Sequence, residues 1–340
     1  MPKLVGHQSV TYADIAARLG PDNAIAVIAE MLAKQNPMLK DARTLEANNI
    51  TSHRTTFRTG LPEAWWRKFN KGVPVSKSRT AQEDFGTGML ETWAVLDEDL
   101  VELNGNKAAF ILSEHKAFLE GMNQIMAETM IYGNLNDNNA AFTGLAAYYS
   151  TLDKAKAESA NNIINMGGTG ANLSSGWLLT HGDQTLHLIN PKGLPAGLRK
   201  KDYPSAPVKD EDGNEYRGIK TNYSWAIGMV LRDWRYCARL VNIPVGNVKT
   251  PGALGADADD IIEGMIMAHN CLPDTHSGTV VWYVSRAVKT ILDIVAMRKQ
   301  NVQLGIRNFE GEEVTHFRGI PIRQCDAILD TEAALEATPV

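Results

Sequence analysis

The 340-residue sequence contains no run of about 18 apolar residues, which is the length that a membrane-spanning helix needs. Its opening residues, Met1 to Leu4, lead into a polar stretch without the apolar segment of a secretory signal. The three cysteines, Cys237, Cys271 and Cys325, are odd in number and widely spaced, which argues against a disulfide framework. We therefore expect no membrane partner and free thiols at all three positions.

The chain also lacks an excess of positive charge. It has 34 lysines and arginines against 39 acidic residues, for a net charge of −5. A dedicated duplex-binding protein is usually basic, so this balance argues against one. Apolar residues make up 44% of the chain, enough to bury a core, and this excludes wholesale disorder.

Complete catalytic or ligand-binding motifs are absent as well. The glycine run Gly167–Gly170 has neither the dinucleotide spacing nor a following lysine–serine pair, so it predicts a surface loop. His269, Cys271 and His276 lie close together, but no second half-site accompanies them to complete a zinc site. The sequence thus predicts no cofactor and no metal.

His181 and Asp183 are a candidate acid–base pair, but such sets are recognised only by geometry. No glycine-flanked serine elbow is present. We predict no catalytic residue. A cytosolic α+β enzyme that uses the 167–183 region stays open as the alternative function.

The N-terminal part of the sequence predicts two strands that are separated by an unusually long connection. Residues 49–59 alternate in the manner of a strand, and a second strand is predicted from Thr87 to Leu96. The 27 residues between them have no core pattern, although they include Trp65, Trp66 and Phe69. Connections of this length are uncommon in compact domains unless they are functional. We predict an extended arm that projects from the body.

Charge is segregated along this region. Residues 53–80 carry seven basic side chains and one acid, whereas residues 81–102 carry seven acids and no lysine or arginine. A solvated surface, a nucleic-acid-binding stretch and a basic arm that meets an acidic patch on a second copy are the three interpretations. For the third, the candidate contact residues are Arg54, Arg58, Trp65, Trp66, Arg67, Lys68, Phe69, Lys71, Lys77, Glu83, Asp84, Asp97, Glu98 and Asp99.

A long helix follows, predicted from Asn106 to Tyr132 and about 40 Å in length at 1.5 Å per residue. His115 at the edge of its apolar stripe is predicted to be a packing histidine. The stripe consists of Ile111, Phe118, Met122, Ile125, Met126 and Thr129. A helix of this length with a narrow stripe suits a support on which a sheet can lie.

Periodicity places the other elements on both sides of this helix. The predicted helices are 11–18, 22–34, 257–269 and 285–299, and a short helical piece lies near 153–159. Strands are predicted at 177–180 and 185–189 as a pair, at 208–216 around an Asp212-Gly213 hairpin turn, at 223–232, 236–243 and 279–284, and at 302–306 and 313–324 as a last hairpin. The fold class is α+β.

Three segments carry a family resemblance. Leu96–Gly133, Leu231–Tyr236 and Phe317–Arg323 resemble, in order and spacing, the major capsid protein of tailed bacteriophages. Together with the arm, the resemblance covers most of residues 40–330. It implies the Hong Kong 97-type fold, with a long spine helix, an extended β-hairpin arm, a peripheral domain and an axial domain.

The resemblance also implies boundaries and a function. The N-terminal arm would be 1–45, the extended loop 46–96, the peripheral domain 97–245, the axial domain 246–330 and the C-terminal tail 331–340. Because the predicted strands of 177–243 precede the axial core, we expect a circularly permuted connectivity. The implied function is non-enzymatic self-assembly of pentamers and hexamers into an icosahedral shell that encloses phage double-stranded DNA.

Partners and location follow from the same resemblance. We expect the chain in the virion, after synthesis and assembly in the cytoplasm of a host bacterium. The expected partners are further copies of the chain, a separate scaffolding protein, a portal, a decoration protein and non-specifically packaged DNA. The first residues already belong to predicted shell helices, so we expect no large N-terminal cleavage. The loop lysines alone do not predict a crosslink between subunits.

Overall fold

A computed structural model describes residues 36–103, 107–209, 213–246, 257–297, 304–309 and 312–336. The predicted helices at 11–18 and 22–34 lie outside these ranges. The helices are α1 (Met38–Asp41), α2 (Glu98–Leu103), α3 (Lys107–Tyr132), α4 (Leu145–Tyr148), α5 (Asp257–Cys271) and α6 (Arg286–Met297). The strands are β1 (Thr44–Glu46), β2 (Ser52–Gly60), β3 (Arg79–Asp97), β4 (Ile163–Asn165), β5 (Leu173–His181), β6 (Leu186–Asn190), β7 (Arg199–Asp202), β8 (Ala206–Lys209), β9 (Glu215–Leu231), β10 (Cys237–Pro244), β11 (Thr279–Val284), β12 (Leu304–Phe309), β13 (Glu312–Phe317) and β14 (Ile320–Gln324).

The centre of the molecule is a sheet that is covered on both faces. β5 pairs antiparallel with β10 on one edge and with β11 on the other, and β11 pairs parallel with β14. Every residue of β5 is buried, as expected for a strand of a sheet that is covered on both faces. Leu178 and Trp282 pack in the same core cluster as residues of α5 and α6. Trp177 and Tyr283 pack in a second cluster with the end of α3.

The long helix α3 lies on the sheet formed by β3 and β9, and its predicted bounds are confirmed to within one residue. Met122 packs there with Ala94 and Tyr223. His115 is buried and meets the Tyr223 ring edge-on at 5.5 Å, which confirms it as a packing histidine. The predicted stripe is wrong at Ile125, whose side chain is 52% exposed.

The two long strands form the stem of a hairpin. β2 pairs antiparallel with the first part of β3, from the Ser52–Gly86 pair to the Gly60–Arg79 pair. The rest of β3, Thr87–Asp97, pairs instead with β9 in the body. One continuous strand thus joins the arm to the body, which gives the arm a rigid base.

One predicted strand pairing is wrong. The strands predicted at 177–180 and 185–189 do not form a hairpin, because β5 and β6 meet only at the His181–Leu186 pair, in parallel orientation. Both edges of β5 are already occupied by β10 and β11, so β6 pairs with β9 instead.

The segment predicted as one strand at 313–324 is two strands, β13 and β14. Arg318 and Gly319 between them have φ values of 50° and 83°. Positive φ at two successive residues is typical of a tight hairpin turn, which reverses the chain. The hairpin predicted around residue 213 is confirmed by the antiparallel pairing of β8 with β9.

A buried polar network holds the C-terminal segment against the sheet. The side chains of Arg239 and Glu332 are only 6% and 9% exposed, and their Nη2 and Oε2 atoms are 2.9 Å apart. Arg239 also donates to the carbonyl of Tyr149 at 2.8 Å, while the Tyr132 and Ser175 hydroxyls donate to the Glu332 carboxylate. Glu332 therefore ties the spine helix, β5 and β10 together, although it falls in the predicted tail.

The domain boundaries stay predictions. Strands from both sides of the predicted boundary at 246 share the central sheet, since β5 pairs with β11. The permuted connectivity also stays a prediction. Within the residues that the model describes, the helices are too short or too polar for any of them to cross a membrane.

Candidate intersubunit surface

The connection between the two hairpin strands, residues 61–78, is exposed along its whole length, and we call it the hairpin tip. Its hydrogen bonds stay within the hairpin: the Ser76 hydroxyl donates to the Glu63 carbonyl at 2.8 Å, and the Lys71 amide donates to the Lys68 carbonyl at 3.2 Å. Asn70, with φ of 62°, forms the turn. The expected projecting arm is therefore present as a hairpin with an extended end.

Large apolar side chains on the hairpin tip face solvent. Trp66 and Phe69 are 105% and 94% exposed, and Val75 is 100% exposed. Trp65, at 41%, is the least exposed of the three aromatic residues in this segment. Exposed apolar residues gathered in one segment mark an interaction surface, because their burial against a partner removes them from water.

The hairpin tip is also basic. Arg67, Lys68, Lys71 and Lys77 are exposed there, with Glu63 as the only acid in residues 61–78, which gives a net charge of +3. Arg58 lies in β2, in the stem. A basic surface around apolar anchors favours an acidic surface on the partner.

Two of the candidate contact residues form an ion pair within the chain. Arg54 and Asp84 lie opposite each other in the stem, where Nε and Nη2 of Arg54 donate to the two carboxylate oxygens at 2.7 and 2.6 Å. These hydrogen bonds to Arg54 lower the pKa of Asp84, and the same contact raises the pKa of Arg54. The pair fixes the register of the stem, so neither side chain needs a second copy to be satisfied.

The predicted acidic patch is divided into two groups by β3. Glu83 and Asp84 lie in the stem, whereas Asp97 ends β3 and is followed by Glu98 and Asp99 in α2. A strand rises about 3.3 Å per residue, so the thirteen steps from Asp84 to Asp97 separate the groups by about 43 Å. Acidic residues that lie close together in sequence are thus held far apart along one strand.

The two groups also differ in their surroundings. Burial raises the pKa of Glu83. The Glu98 carboxylate accepts a hydrogen bond from the Ser205 hydroxyl at 2.5 Å and lies 3.5 Å from Arg217. The Asp97 side chain accepts from the Asp99 amide at 3.0 Å, which caps the start of α2.

The residues weighed for catalysis are held by structural contacts. His181 is buried, and its Nε2 lies 3.0 Å from the Tyr283 hydroxyl. Asp183 pairs with Arg43 at 3.0 Å rather than with His181. Gly167 has φ of 74°, as expected in a loop. Among the described residues, no group of three or more potential metal ligands comes together.

Sequence reasoning missed two exposed features near the base of the hairpin. Met89 and Trp93, on one face of β3, are 53% and 45% exposed. Ile125, on α3, is also exposed and lines an apolar groove together with Met89. The side chains of β3 alternate between two faces of the strand, and both faces contain apolar residues. Periodicity alone therefore does not predict which face is exposed to solvent.

Comparison with known proteins gives a consistent picture. The family model described as major capsid protein GP7 matches residues 20–336. None of the curated proteins matches the chain.

Among solved structures, the chain is similar to one from the near-atomic cryo-electron-microscopy structure of bacteriophage Epsilon15, with 31% identity and a TM-score of 0.74 over 98% of this chain and 99% of that one. It is also similar to the capsid of bacteriophage JBD30, with 9% identity and a TM-score of 0.50 over 94% of this chain and 99% of that one. At that identity, the second likeness concerns the fold alone.

Proposed function

Because this chain belongs to the family of major capsid proteins described as GP7, its function is to form a capsid shell, and we propose that the hairpin tip is the element that joins its copies. Its mixed α/β fold is similar to that of Hong Kong 97-type phage capsid proteins. The family implies a structural role and a place in the phage virion. The observation that carries the proposal is the exposure of Trp66 and Phe69, at 105% and 94%.

The energetics favour an apolar anchor over a purely ionic contact. Aromatic anchors buried in an interface contribute about 2 kcal/mol or more each. Exposed ion pairs contribute only about 0–1 kcal/mol and chiefly fix the register of the partners. Trp66 and Phe69 would therefore supply most of the affinity, and Arg67, Lys68 and Lys71 would orient the encounter.

Repetition turns modest contacts into a stable shell. An arm that fits a different surface on its neighbour makes a head-to-tail contact, and such contacts close into rings when the rotation allows it. We propose that these rings are pentamers and hexamers. In a closed lattice each copy is held by several interfaces at once, so the loss of one contact does not release it.

The finer assignments rest on the family and on charge. We propose that the shell assembles in the cytoplasm of a host bacterium, with a scaffolding protein, a portal and a decoration protein as partners. We also propose that the shell encloses double-stranded DNA without sequence-specific binding. The net charge of −5 disfavours tight binding of DNA phosphates.

The test removes the anchors without touching the body. The double variant Trp66→Ser/Phe69→Ser should lose about 4 kcal/mol per contact, which is about a thousandfold in affinity, and should form no particles in light scattering and electron microscopy. Its thermal unfolding should match that of the parent, because these side chains are exposed.

The matched control keeps aromatic rings in place. The control variant Trp66→Phe/Phe69→Trp should form particles at a yield close to that of the parent. Normal particles from the serine variant would overturn the role of the tip, and so would a control that fails together with it.

A further inference from the structure

An apolar groove lies between the spine helix and the sheet. It has a volume of about 120 Å³, and it is formed by Met89 of β3, Ile125 and Met126 of α3, Phe142 and Ile227, together with neighbouring residues. Phe142 and Met126 are 3% and 2% exposed and belong to the buried core, whereas Met89 and Ile125 are 53% and 52% exposed at the surface. The groove is thus an opening at the edge of the core.

Gly88 of β3 permits the close backbone contact that shapes the groove. A Cβ at Gly88 would lie 2.8 Å from the carbonyl oxygen of Ala140. Real Cβ contacts essentially never come that close, so the loop around Ala140 could not approach β3 with any other residue there. The wall of the groove therefore depends on a close approach between two backbone segments.

We infer that this groove receives the hairpin tip of a second copy of the chain. The inference rests on the proposed function, in which the tip joins two copies, and it adds the surface that the tip joins. The shared chemistry is apolar: one side presents exposed aromatic rings, and the other presents an open apolar groove.

The tip of a chain does not reach the groove of the same chain. The tip begins beyond Arg79, and Met89 is ten residues further along the same strand, which corresponds to about 33 Å at 3.3 Å per residue. The hydrogen bonds of the tip, at Ser76 and Lys71, lead only to residues of the tip itself. A tip that occupies the groove must therefore come from another copy.

Charge favours this groove over the neighbouring cavity. The tip has a net charge of +3, and the groove is lined by no lysine or arginine. Glu128 is adjacent in sequence to the groove residue Thr129, Asp137 is adjacent to the groove residue Asn138, and both acidic residues are exposed. These carboxylates attract a basic tip and orient it.

The neighbouring cavity has the opposite character. It is larger, about 580 Å³, and is lined by Arg199, Lys200 and Lys201 along with Glu91. A basic tip is repelled there, because like charges brought together at an interface disfavour binding.

The size of the groove also fits one ring. An apolar cavity of about 150 Å³ is known to hold benzene, so a half-open groove of about 120 Å³ suits a single aromatic side chain. Trp66 or Phe69 would enter it, and the second ring would cover the exposed parts of Met89 and Ile125.

The first test places a charge at the mouth of the groove. Ile125→Arg should lower the yield of particles at least tenfold, because a cation there repels the basic tip and is desolvated by an aromatic ring. Ile125→Glu should lose less, since its charge is opposite to that of the tip. The matched control is Leu112→Arg, which lies on the same helix and is 60% exposed, and it should assemble like the parent.

The second test asks which surfaces touch. In a Cys271→Ser background, Val75→Cys on the tip should form a disulfide with Thr129→Cys in the groove, and the product should link different copies within particles. A disulfide requires Cα atoms about 4.4–6.8 Å apart, so it reports direct apposition. The matched control, Val75→Cys with Lys201→Cys in the basic cavity, should stay unlinked.

The outcomes distinguish a failure of the groove as the docking site from a failure of the proposed function. Particles that assemble normally with Ile125→Arg, or that link through Lys201→Cys instead of Thr129→Cys, would overturn the groove while leaving the tip as the joining element. A parent chain that forms no particles would overturn the proposed function, and the groove with it.

Discussion

The hairpin tip and the central sheet differ in the solvent exposure of their residues. In β5 of the sheet every residue is buried, and even the charged pair of Arg239 and Glu332 is enclosed and hydrogen-bonded. In the tip every residue is exposed, including Trp66 and Phe69. The sheet is thus complete within one copy, whereas the tip leaves its apolar side chains in water.

This difference shows where stability and assembly reside. Burial of apolar groups drives folding, so the energy that holds the chain together is concentrated in the sheet and its two covering layers. The same effect acts between molecules at the tip, where burial becomes possible only when a second copy arrives. Changes in the tip should therefore alter assembly without affecting folding, and changes in the sheet should lower folding stability first.

The largest expected effect, after the loss of the aromatic anchors, comes from reversing the charge of the tip. Arg67→Glu/Lys68→Glu/Lys71→Glu changes the net charge of the tip from +3 to −3, because each reversal removes two units. We expect a folded monomer that does not assemble, since the steered encounter with an acidic surface becomes repulsive. Light scattering and electron microscopy measure the loss.

A control with the same overall charge isolates the position of the change. Reversal of three exposed lysines outside the hairpin, Lys40, Lys192 and Lys209, gives the same total net charge of −11, six units below −5. This variant should assemble. Normal particles from the triple tip variant would show that its charge does not set the register.

A smaller effect, of the opposite kind, is expected in the sheet. Glu332→Ala leaves Arg239 buried without its carboxylate, and breaking one side of such a pair costs about 3–5 kcal/mol. The free energy of unfolding from denaturant titration should fall by that amount. The exposed Glu336 in the same segment is the control, and Glu336→Ala should change it by no more than about 0.5 kcal/mol. Equal effects of the two substitutions would refute a structural role for the network.

The smallest effect is a dependence on pH. Burial lowers the pKa of His187, and likewise that of His181, to about 4. The unfolded chain takes up these protons near the ordinary pKa of about 6.5, so the stability of the fold is complete above that pH and declines as the pH falls from 6.5 towards 4. His187→Phe should flatten this decline in thermal unfolding measured across that range. An unchanged slope would mean that His187 does not titrate on unfolding.

Much of the fold could be predicted from the sequence where one periodicity dominates. Helix α3 was expected at 106–132 and spans Lys107–Tyr132, and strand β11 was expected at 279–284 and spans Thr279–Val284. The pairing of strands could not be predicted in the same way. Whether β6 joins β5 depends on β10 and β11, which lie far away in sequence and occupy both edges of β5.

The candidate site was predictable in part for a similar reason. The projecting tip follows from a long segment with aromatic residues but no core pattern, and such a pattern is local. The acidic patch is a set of sequence neighbours that a straight strand holds about 43 Å apart, from Asp84 to Asp97. The groove around Ile125 and the pair of Arg239 with Glu332 are formed by segments that lie far apart in sequence. No local sequence pattern therefore predicts them.

Hydrogen exchange of the hairpin tip, measured in assembled particles and in unassembled protein, tests the central claim most directly. On assembly, we predict that residues 61–78 exchange at least tenfold more slowly, while Leu173–His181 in the central sheet exchanges slowly in both forms. Equal exchange of residues 61–78 in the two forms would contradict the claim that a second copy covers the tip.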